Sequence, residues 1–535
     1  MKAFNLVEAG ARVCLLALIA ICIPFGDVVR AEATNSTDTT SGPVVGLPAD
    51  AKGVRAFLGI PYAEPPTGER RFRPPAPVKR SSTPIEATHF GNACAQRSDG
   101  EDPAEFGSFV DENCLTLNVW SPSDRGHLPV MVWIHGGGNS QGSSREPAYN
   151  GARLAARGKV VVVSLNYRLG IFGFVDISVL GGPRYKESCN DGLLDQLEAL
   201  RWVKENIAGF GGDPGNVTVF GNSAGGVDIS ALLAMRSPEH FFHRAIIQSG
   251  FAGSVKSLAA ARRFSGDIFG RAHVKSVAQL LAMTPEALLA MQAEALKAMS
   301  ELESDGSFQA SVDGTLLKEF PIDAIRKGSA KEIDLLLGTT ANELRLYLTW
   351  NPEWKEAHLD DLPIVRDLPE TTRNQLWNIY RKARPNMADG LVTLDILGDV
   401  VFRAGELRMA EEQLPYNRNV YVYLFNWQSS SKDLGAPHAI ELPFVFGNES
   451  VQSQQLGDLI DPTNKKVVDR VVDAVQNYWT AFAATGVPVS PDGPAWPRYE
   501  PHSRQTMVFD RKLAVLADPM AEERKALSNL DLRRR

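Results

Sequence analysis

Short, nearly continuous apolar runs alternate with helical patterns along this chain. Such runs are typical of strands that are buried on both faces of a sheet. Helical periodicity appears between them, at 193–206, 258–269 and 466–484. Strands spaced by helices predict an α/β fold with a mostly parallel central sheet flanked by helices. The predicted strands are 128–134, 160–165, 217–220, 244–248, 333–337 and 420–425.

Two insertions, near 255–305 and 346–399, have helical character, and we expect them to form a helical cap over the sheet. No Gly/Ser-rich or Pro-rich linker is long enough to mark a second domain, so 44–525 is interpreted as a single domain. The polar stretch 34–43 predicts a disordered lead-in, and 526–535 predicts a charged tail.

The N-terminus has the features of a secretory signal. Basic residues precede an apolar run at 13–23, and Ala31-Glu32-Ala33 provides a cleavage site. The run is too short to span a membrane. We therefore predict a cleaved signal peptide, 1–33, and a secreted or periplasmic protein without a stable membrane anchor. Cleavage after Val29-Arg30-Ala31 and a retained N-terminal anchor are the alternatives.

Composition narrows the function only by exclusion. The 535 residues carry a net charge of -7, which gives no basic footprint for a nucleic-acid partner. The H-E-x-x-H motif, which would indicate a metal hydrolase, does not occur in the sequence, so we expect no metal and no cofactor. Cys94, Cys114 and Cys189 remain after signal cleavage, in a compartment that permits disulfides.

The most informative stretch follows the predicted strand 217–220. Gly221-Asn222-Ser223-Ala224-Gly225 fits G-x-S-x-G, and a helix can begin directly after it. A serine at such a tight strand-to-helix turn needs glycine neighbours, because side chains there would collide with the adjacent strand. The motif alone is weak evidence, and a glycine-rich loop is the alternative. Whether Ser223 is a nucleophile therefore depends on finding catalytic partners for it elsewhere in the chain.

A serine nucleophile requires a base, an orienting acid and an oxyanion hole. The strand 128–134 is followed by His135-Gly136-Gly137-Gly138. Consecutive glycines allow backbone N–H groups to converge on one point, so Gly137 and Gly138 are predicted oxyanion donors. The N–H of Ala224 would add a third donor. A flexible turn is the alternative interpretation.

The base and the acid should follow the serine along the chain. His358 and His502 lie in charged, exposed-looking segments, whereas His438 lies between a predicted strand and an apolar run, so His438 is the candidate base. Glu343 follows the strand 333–337 and is the candidate acid. A surface carboxylate is the alternative for Glu343.

Many blocks of this chain resemble the type-B carboxylesterase family of α/β-hydrolases, the group that includes cholinesterases and bacterial nitrobenzyl esterases. The similarity extends over nearly the whole predicted mature chain. The matching blocks are FLGIPYAEPPTGERRFRPP, DENCLTLNVW, VWIHGGG, SLNYRLGIFGF, GLLDQLEALRWVKENIAGFGGDPGNVTVFGNSAGG, FFHRAIIQSG, GTTANE, PHAIELPFVFG and FAATGVP…WPRY.

The resemblance implies an α/β-hydrolase fold whose cap helices form a gorge. By position it assigns Ser223 as nucleophile, Glu343 as acid and His438 as base, and Ser249 as a serine that supports the acid. It also assigns the oxyanion hole to Gly137, Gly138 and Ala224. Cys94 and Cys114 match the family's first disulfide, which leaves Cys189 as a free thiol.

Departures from the family pattern concern the substrate. Asn222 replaces an acidic residue before the nucleophile, and the loop between Cys94 and Cys114 lacks the choline-stacking tryptophan, so a cholinesterase is not expected. Asn139 replaces an aromatic residue and should make the pocket rim more polar. Asp228 replaces a small residue, and its place near a helix N-terminus favours the helix dipole.

Arg145 and Arg345 follow the oxyanion loop and the acid. If either lines the gorge, it favours esters with anionic acyl groups, such as tricarballylate esters. The alternative is two solvated surface arginines. We therefore predict a serine carboxylesterase that acts on small-molecule esters. A non-catalytic adhesion protein on the same fold is the rival interpretation, and a lipase is disfavoured because no apolar lid segment is evident.

Overall fold

The computed structural model describes most of the chain beyond the predicted signal peptide. The described residues are 35–97, 110–122, 126–235, 241–301, 307–361, 363–366, 368–448, 460, 464–528 and 530. The predicted signal peptide, 1–33, lies outside them. Among the described residues, no helix combines the length and the apolar character needed to cross a membrane.

Strands and helices alternate through the described residues. The strands are β1 Ser36–Thr39, β2 Gly42–Gly46, β3 Arg55–Pro61, β4 Ile85–Ala87, β5 Ala93–Cys94, β6 Val110–Asp111, β7 Thr116–Ser121, β8 Leu128–Ile134, β9 Val161–Leu165, β10 Gly212–Asn222, β11 Arg244–Gln248, β12 Lys256–Ser257, β13 Ser311–Val312, β14 Asp334–Thr340, β15 Val420–Phe425, β16 Gln505–Phe509 and β17 Ala514–Ala517. The α-helices are α1 Ala152–Gly158, α2 Gly170–Gly173, α3 Ser178–Gly181, α4 Asp191–Asn206, α5 Ala224–Ala234, α6 Leu258–Arg271, α7 Val277–Ala282, α8 Pro285–Glu301, α9 Pro321–Arg326, α10 Pro363–Arg366, α11 Glu370–Ala383, α12 Asp389–Gly398, α13 Ala404–Gln413, α14 Leu442–Phe446, α15 Lys465–Thr485 and α16 Ala521–Leu527.

A ten-stranded sheet organises these elements. Its strand order is β17-β16-β15-β14-β11-β10-β8-β9-β7-β3. The strands from β16 to β9 run parallel to their neighbours, whereas β17, β7 and β3 pair antiparallel at the two edges. All the predicted strands belong to this sheet, so the prediction of a mostly parallel central sheet is confirmed.

Side chains of the central strands pack into hydrophobic cores on both faces of the sheet. In β8, Val130, Val132 and Ile134 face one core, while Met131 and Trp133 face the other. Helices α4 and α5 contribute to the first core, and α15 contributes to the second. A strand that is covered on both sides is apolar at most of its positions, which explains the nearly continuous apolar runs.

The parallel register brings several strand ends to one edge of the sheet. Gly221 of β10 lies opposite Ile134 of β8 and Ile247 of β11. Gln248 of β11 lies opposite Gly338 of β14. The segments that follow these strands therefore meet at the carboxyl edge, where open α/β sheets place their ligands.

Glycines permit an unusually close approach of backbones at this edge. A Cβ on Gly225 would lie 2.2 Å from the carbonyl oxygen of Ile134. A Cβ on Gly250 would lie 2.4 Å from the carbonyl carbon of Gly226. Any side chain at 225 or 250 would push the first turn of α5 away from the strands, so these glycines set the spacing of the site.

The predicted disordered lead-in, 34–43, is wrong for its described residues. Strands β1 and β2 form an antiparallel hairpin in which Ser36 pairs with Val45. Thr37 Oγ donates to the carbonyl of Gly209 at 2.9 Å, and Asn206 Oδ1 accepts from the N–H of Thr40 at 2.7 Å. Threonine favours extended backbone, and these bonds to the body of the protein order a segment whose polarity suggested disorder.

The two stretches predicted as insertions contain α6–α8 and α10–α12. The start of the segment predicted as a charged tail is packed, because Leu527 and Leu530 join an apolar cluster with Leu376 of α11 and Val392 of α12. Residues 529 and 531–535 lie outside the described residues.

Covalent and ionic links hold the region around the carboxyl edge. Cys94 and Cys114 form a disulfide, in agreement with the family resemblance, and Cys189 is a buried free thiol. Arg168 follows β9 and is buried against α4. It donates to both carboxylate oxygens of Asp195 at 2.7 Å and to Asp191 at 3.2 Å.

We expect Arg168→Met to destabilise the fold by about 3–5 kcal/mol, since it leaves buried carboxylates at Asp191 and Asp195 without their cation. The change is measured as the urea-unfolding free energy. Arg184→Met is the control, because Arg184 is exposed and should change stability by less than about 0.5 kcal/mol. Equal effects of the two substitutions would contradict the role assigned to Arg168.

Candidate active site

Ser223 occupies the turn between β10 and α5. Its φ of 58° and ψ of -125° are strained for a side-chain-bearing residue. The N–H of Ser223 donates to the carbonyl of Gln248 at 2.9 Å, and its carbonyl accepts from Val227 at 2.9 Å. These bonds fix the turn from both sides, and the half-buried Ser223 side chain remains accessible at the carboxyl edge.

Glu343 and His438 lie 95 residues apart in the chain and are hydrogen-bonded. The distance from His438 Nδ1 to Glu343 Oε2 is 2.5 Å. The other oxygen, Oε1, accepts from Ser249 Oγ at 2.6 Å and from the N–H of Thr340 at 2.7 Å. Each oxygen of the carboxylate therefore has a defined partner, and Ser249 contacts Glu343; the roles that the resemblance assigns to these two residues stay predictions.

The environment of His438 favours its protonated form. Burial by itself lowers the pKa of His438, but the charge and hydrogen bond of Glu343, together with the charge of Glu441, outweigh burial and raise the pKa above the ordinary 6.5. Phe402, in the π-helical turn Asp399–Arg403, covers the imidazole with ring centroids 5.0 Å apart. The ring is thus held between a carboxylate and an aromatic face.

The loop after β8 has the conformation that its glycines permit. Gly137 and Gly138 have φ values of 100° and 62°, both in the left-handed region. Within the described residues, their N–H groups donate to no acceptor of the protein. Two free donors beside the Ser223 turn are suited to an anionic oxygen. Ala224, the first residue of α5, directly follows Ser223 in that turn.

The prediction that Asn139 makes the pocket rim more polar is wrong. Asn139 is 1% exposed, and its Nδ2 donates to Oδ1 of Asp228 at 3.1 Å. Asp228 is fully buried in α5, and its Oδ2 accepts from Gln196 at 2.6 Å. Burial raises the pKa of Asp228 to about 7, although both hydrogen bonds oppose that rise. Asp228 therefore has defined side-chain partners and does not serve only the helix dipole.

Asn222 also turns away from the predicted pocket. Its Nδ2 donates to Oε1 of Glu441 at 2.8 Å, and Gln248 donates to the same oxygen at 3.0 Å. Burial and the nearby charge of Glu343 raise the pKa of Glu441 to about 7. Since Glu441 lies three residues after His438, this contact joins the Ser223 turn to the His438 segment.

The structure separates the two predicted substrate-binding arginines. Arg345 is 3% exposed, and it donates to the two oxygens of Asp395 at 2.8 and 2.7 Å. The solvated alternative is therefore wrong for Arg345, and its charge is already paired with Asp395. Arg145 is half-buried, and burial lowers its pKa. A role of Arg145 in substrate binding stays a prediction.

Sequence reasoning missed Glu441, Phe402, Thr340 and Gln196. Glu441 stands in the same block as His438, and that proximity was the only available signal. Phe402 and Gln196 contact the site across long chain separations, so no local pattern indicates them. Among the described residues, no group of three or more His, Cys, Asp or Glu side chains is arranged to hold a metal ion.

The sequence of this chain is similar to those of known esterases. The sequence profile of the Carboxylesterase family matches residues 33–527. A para-nitrobenzyl esterase from Bacillus subtilis is 36% identical over 488 residues, covering 89% of this chain and 95% of that protein. A fumonisin B1 esterase from Sphingopyxis macrogoltabida is 32% identical over 481 residues, covering 86% of this chain and 84% of that protein.

A solved structure gives the same result for the fold. A carboxylesterase from Geobacillus stearothermophilus superimposes with a TM-score of 0.82 at 35% identity, covering 92% of this chain and all of that one. The fold is therefore the α/β-hydrolase fold that the resemblance implied. Together with the family profile over residues 33–527, these similarities show that this chain belongs to the carboxylesterase family and is a carboxylic ester hydrolase.

Proposed function

We propose that the chain hydrolyses carboxylic esters through Ser223 as nucleophile, His438 as general base and Glu343 as the orienting acid. The observation that carries this proposal is the 2.5 Å contact between His438 Nδ1 and Glu343 Oε2. A carboxylate that binds Nδ1 leaves the unprotonated Nε2 as the atom available to take a proton from serine. The strained turn at Ser223 supports the assignment of the nucleophile.

Ester hydrolysis proceeds in two half-reactions, acylation of Ser223 and hydrolysis of the acyl-enzyme. Ser223 Oγ attacks the ester carbonyl carbon while its proton passes to His438 Nε2. The N–H groups of Gly137, Gly138 and Ala224 bind the oxyanion that forms. Collapse breaks the bond to the alkoxy oxygen, which takes the proton from His438 and leaves as the alcohol. Water then repeats the sequence at the acyl-enzyme, which releases the acid and restores Ser223.

Glu343 matters most while His438 is protonated. Its carboxylate stabilises the imidazolium that forms during each attack. Ser249 and Thr340 hold the other oxygen of Glu343, so the carboxylate cannot rotate away from His438 without losing two hydrogen bonds. This arrangement supports an acid that keeps the imidazole in one orientation and one tautomer.

The charge of the acyl group depends on which cations are available to the substrate. One relative is named a fumonisin B1 esterase, and the sequence left esters with anionic acyl groups, such as tricarballylate esters, as an option. That option relied on Arg145 and Arg345, and Arg345 is committed to Asp395. Since Arg145 is the one arginine of the two that is left to serve that option, we propose an uncharged acyl group as the better fit. The esterases among the relatives favour catalysis over the non-catalytic adhesion alternative.

Ser223→Ala and His438→Ala should each lower turnover of p-nitrophenyl acyl esters by at least about 10,000-fold, because they remove the nucleophile and the base. The thermal midpoint of Ser223→Ala should stay near that of the parent. A panel of increasing acyl length, with carboxylate-bearing members, measures both rate and specificity. Substantial activity in either variant would refute the triad, and a preference for carboxylate-bearing esters would refute the uncharged acyl group.

Glu343→Gln should lower kcat and also move the acid limb of kcat/KM to lower pH. His438 must be neutral to act as a base, so activity falls as pH drops through its pKa. Glu343 raises that pKa above 6.5, whereas burial alone lowers it. Without the charge of Glu343 the pKa of His438 should fall and the limb should move to lower pH, with Glu441 as the remaining charge that raises it. A limb that stays in place would show that Glu343 does not set the protonation of His438.

We also propose export through the predicted signal peptide. The family profile begins at residue 33, and an A-x-A site ends at Ala33. Mass spectrometry of the protein recovered outside the cytoplasm should give a mature chain beginning at Thr34. An intact N-terminus on membrane-associated protein would instead support the retained anchor.

A further inference from the structure

Asn139 and Asp228 connect the oxyanion loop to the helix that carries the nucleophile turn. Asn139 directly follows Gly138, and Asp228 lies five residues after Ser223 in α5. Their side chains meet at 3.1 Å between Nδ2 and Oδ1, and both residues are essentially fully buried. Burying a carboxylate costs free energy, and hydrogen bonds from neutral amides offset that cost only in part because they supply no opposite charge.

Asn139 is also held by its other polar atoms. Tyr167 Oη lies 3.1 Å from Asn139 Oδ1, and the N–H of Gly170 donates to the carbonyl of Asn139 at 2.7 Å. The ring of Tyr167 stacks on His135, at the start of the same loop, with centroids 4.5 Å apart. Contacts therefore hold the loop at His135, where it begins, and at Asn139, which follows its glycines. At Asn139 the side chain makes the contact.

Asp228 in turn is held by α4. Its second oxygen accepts from Gln196 at 2.6 Å, and the residue before Gln196 is Asp195, which is paired with Arg168. The carboxylate thus lies between a rigidly placed helix and the loop. The chain of contacts runs from Arg168 through α4 to Asp228 and on to Asn139.

The loop needs such an anchor because of its backbone. Gly137, Gly138 and Asn139 have consecutive positive φ values of 100°, 62° and 55°. Glycine populates many conformations, so two adjacent glycines place few limits on where their N–H groups point. Asparagine is among the non-glycine residues that best tolerate this region, and it adds a side chain that can be tied down.

We propose that the Asn139–Asp228 pair is a positioning device that keeps the N–H groups of Gly137 and Gly138 aimed at the developing oxyanion. Neither side chain touches the substrate. The pair acts on the transition state, so its loss lowers kcat and leaves KM nearly unchanged. This inference rests on the proposed function, because it assigns a role within the same oxyanion hole.

Asn139→Gly is the sharpest test, because glycine keeps the positive φ without strain and removes only the side-chain contacts. With p-nitrophenyl butyrate we expect kcat to fall tenfold or more and KM to change less than twofold. Rates are expressed per competent site, counted by the stoichiometric burst of p-nitrophenol from diethyl p-nitrophenyl phosphate. An unchanged kcat per site would overturn the proposal.

Asp228→Asn provides rescue within the same site. An amide at 228 can accept from Asn139 through its oxygen and donate to Gln196 through its nitrogen once the Gln196 amide is rotated. Activity of Asp228→Asn should stay within threefold of the parent, whereas Asp228→Ala should lose as much as Asn139→Gly. The double variant Asn139→Gly/Asp228→Ala should lose little more than either single variant. Independent, multiplicative losses would contradict a shared device.

A trifluoromethyl ketone that adds to the serine and presents an oxyanion separates positioning from general destabilisation. The affinity of the ketone should weaken in proportion to kcat/KM in Asn139→Gly and Asp228→Ala.

Asp176→Ala is the matched control, since Asp176 is another buried carboxylate, which accepts a hydrogen bond from the N–H of Ser178. It should lose stability without losing kcat per site. Equal losses in the control would show a merely structural role. Inactive Ser223→Ala with fully active Asn139→Gly would refute the pair while leaving the triad intact.

Discussion

The close approach of backbones at the carboxyl edge is the constraint on which the rest of this structure depends. The first turn of α5 lies directly against the ends of β8 and β11, with no room for a Cβ at Gly225 or Gly250. That contact forces the chain through a strained turn at Ser223. It also brings the ends of β10, β8 and β11 into one small region. Ser223, Glu343 and the loop that contains Gly137 and Gly138 therefore lie on short extensions of neighbouring strands.

Buried polar side chains fix the segments that the backbone contact brings together at the carboxyl edge. Glu343, Asp228 and Glu441 are all buried carboxylates at this edge, yet their partners differ. Glu343 binds His438, Asp228 receives two side-chain amides, and Glu441 joins the Ser223 turn to the His438 segment. A carboxylate surrounded by amides holds a loop in place, whereas one beside an imidazole changes the proton affinity of that imidazole. The chemical identity of the partner sets the role of each acid.

Sequence patterns predicted the parts of this protein that follow from local rules. Continuous apolar runs indicated the central strands because both faces of the sheet are covered. The outer strands β3, β7, β16 and β17 do not follow from the pattern, since they are less uniformly apolar than the central strands, and β3, β7 and β17 pair antiparallel. The lead-in looked disordered because its hydrogen-bond partners, Asn206 and Gly209, lie far along the chain.

At the candidate site, too, features set by local sequence are predictable and those set by distant partners are not. Ser223 and His438 were proposed from motif and context, and Glu343 depended on the family resemblance. Asn139 was assigned to the pocket rim because its position follows the glycine loop. The direction of its side chain depends on a positive φ and on Asp228, 89 residues away. The burial of Arg345 does not follow from local sequence for a similar reason, since its partner Asp395 lies 50 residues further along the chain.

The buried thiol of Cys189 has a practical consequence. Cys94 and Cys114 are joined to each other, and Cys189 is fully buried near Asp176, Asp191 and Asp313. Burial and these carboxylates raise the pKa of the thiol, so in the folded protein it is both shielded and protonated. The rate at which a maleimide dye reacts with Cys189 therefore reports how often the interior opens. A cysteine introduced at the surface would react much faster and would take up the dye selectively, which suits fluorescence measurements of motion in helices α6–α8 and α10–α12.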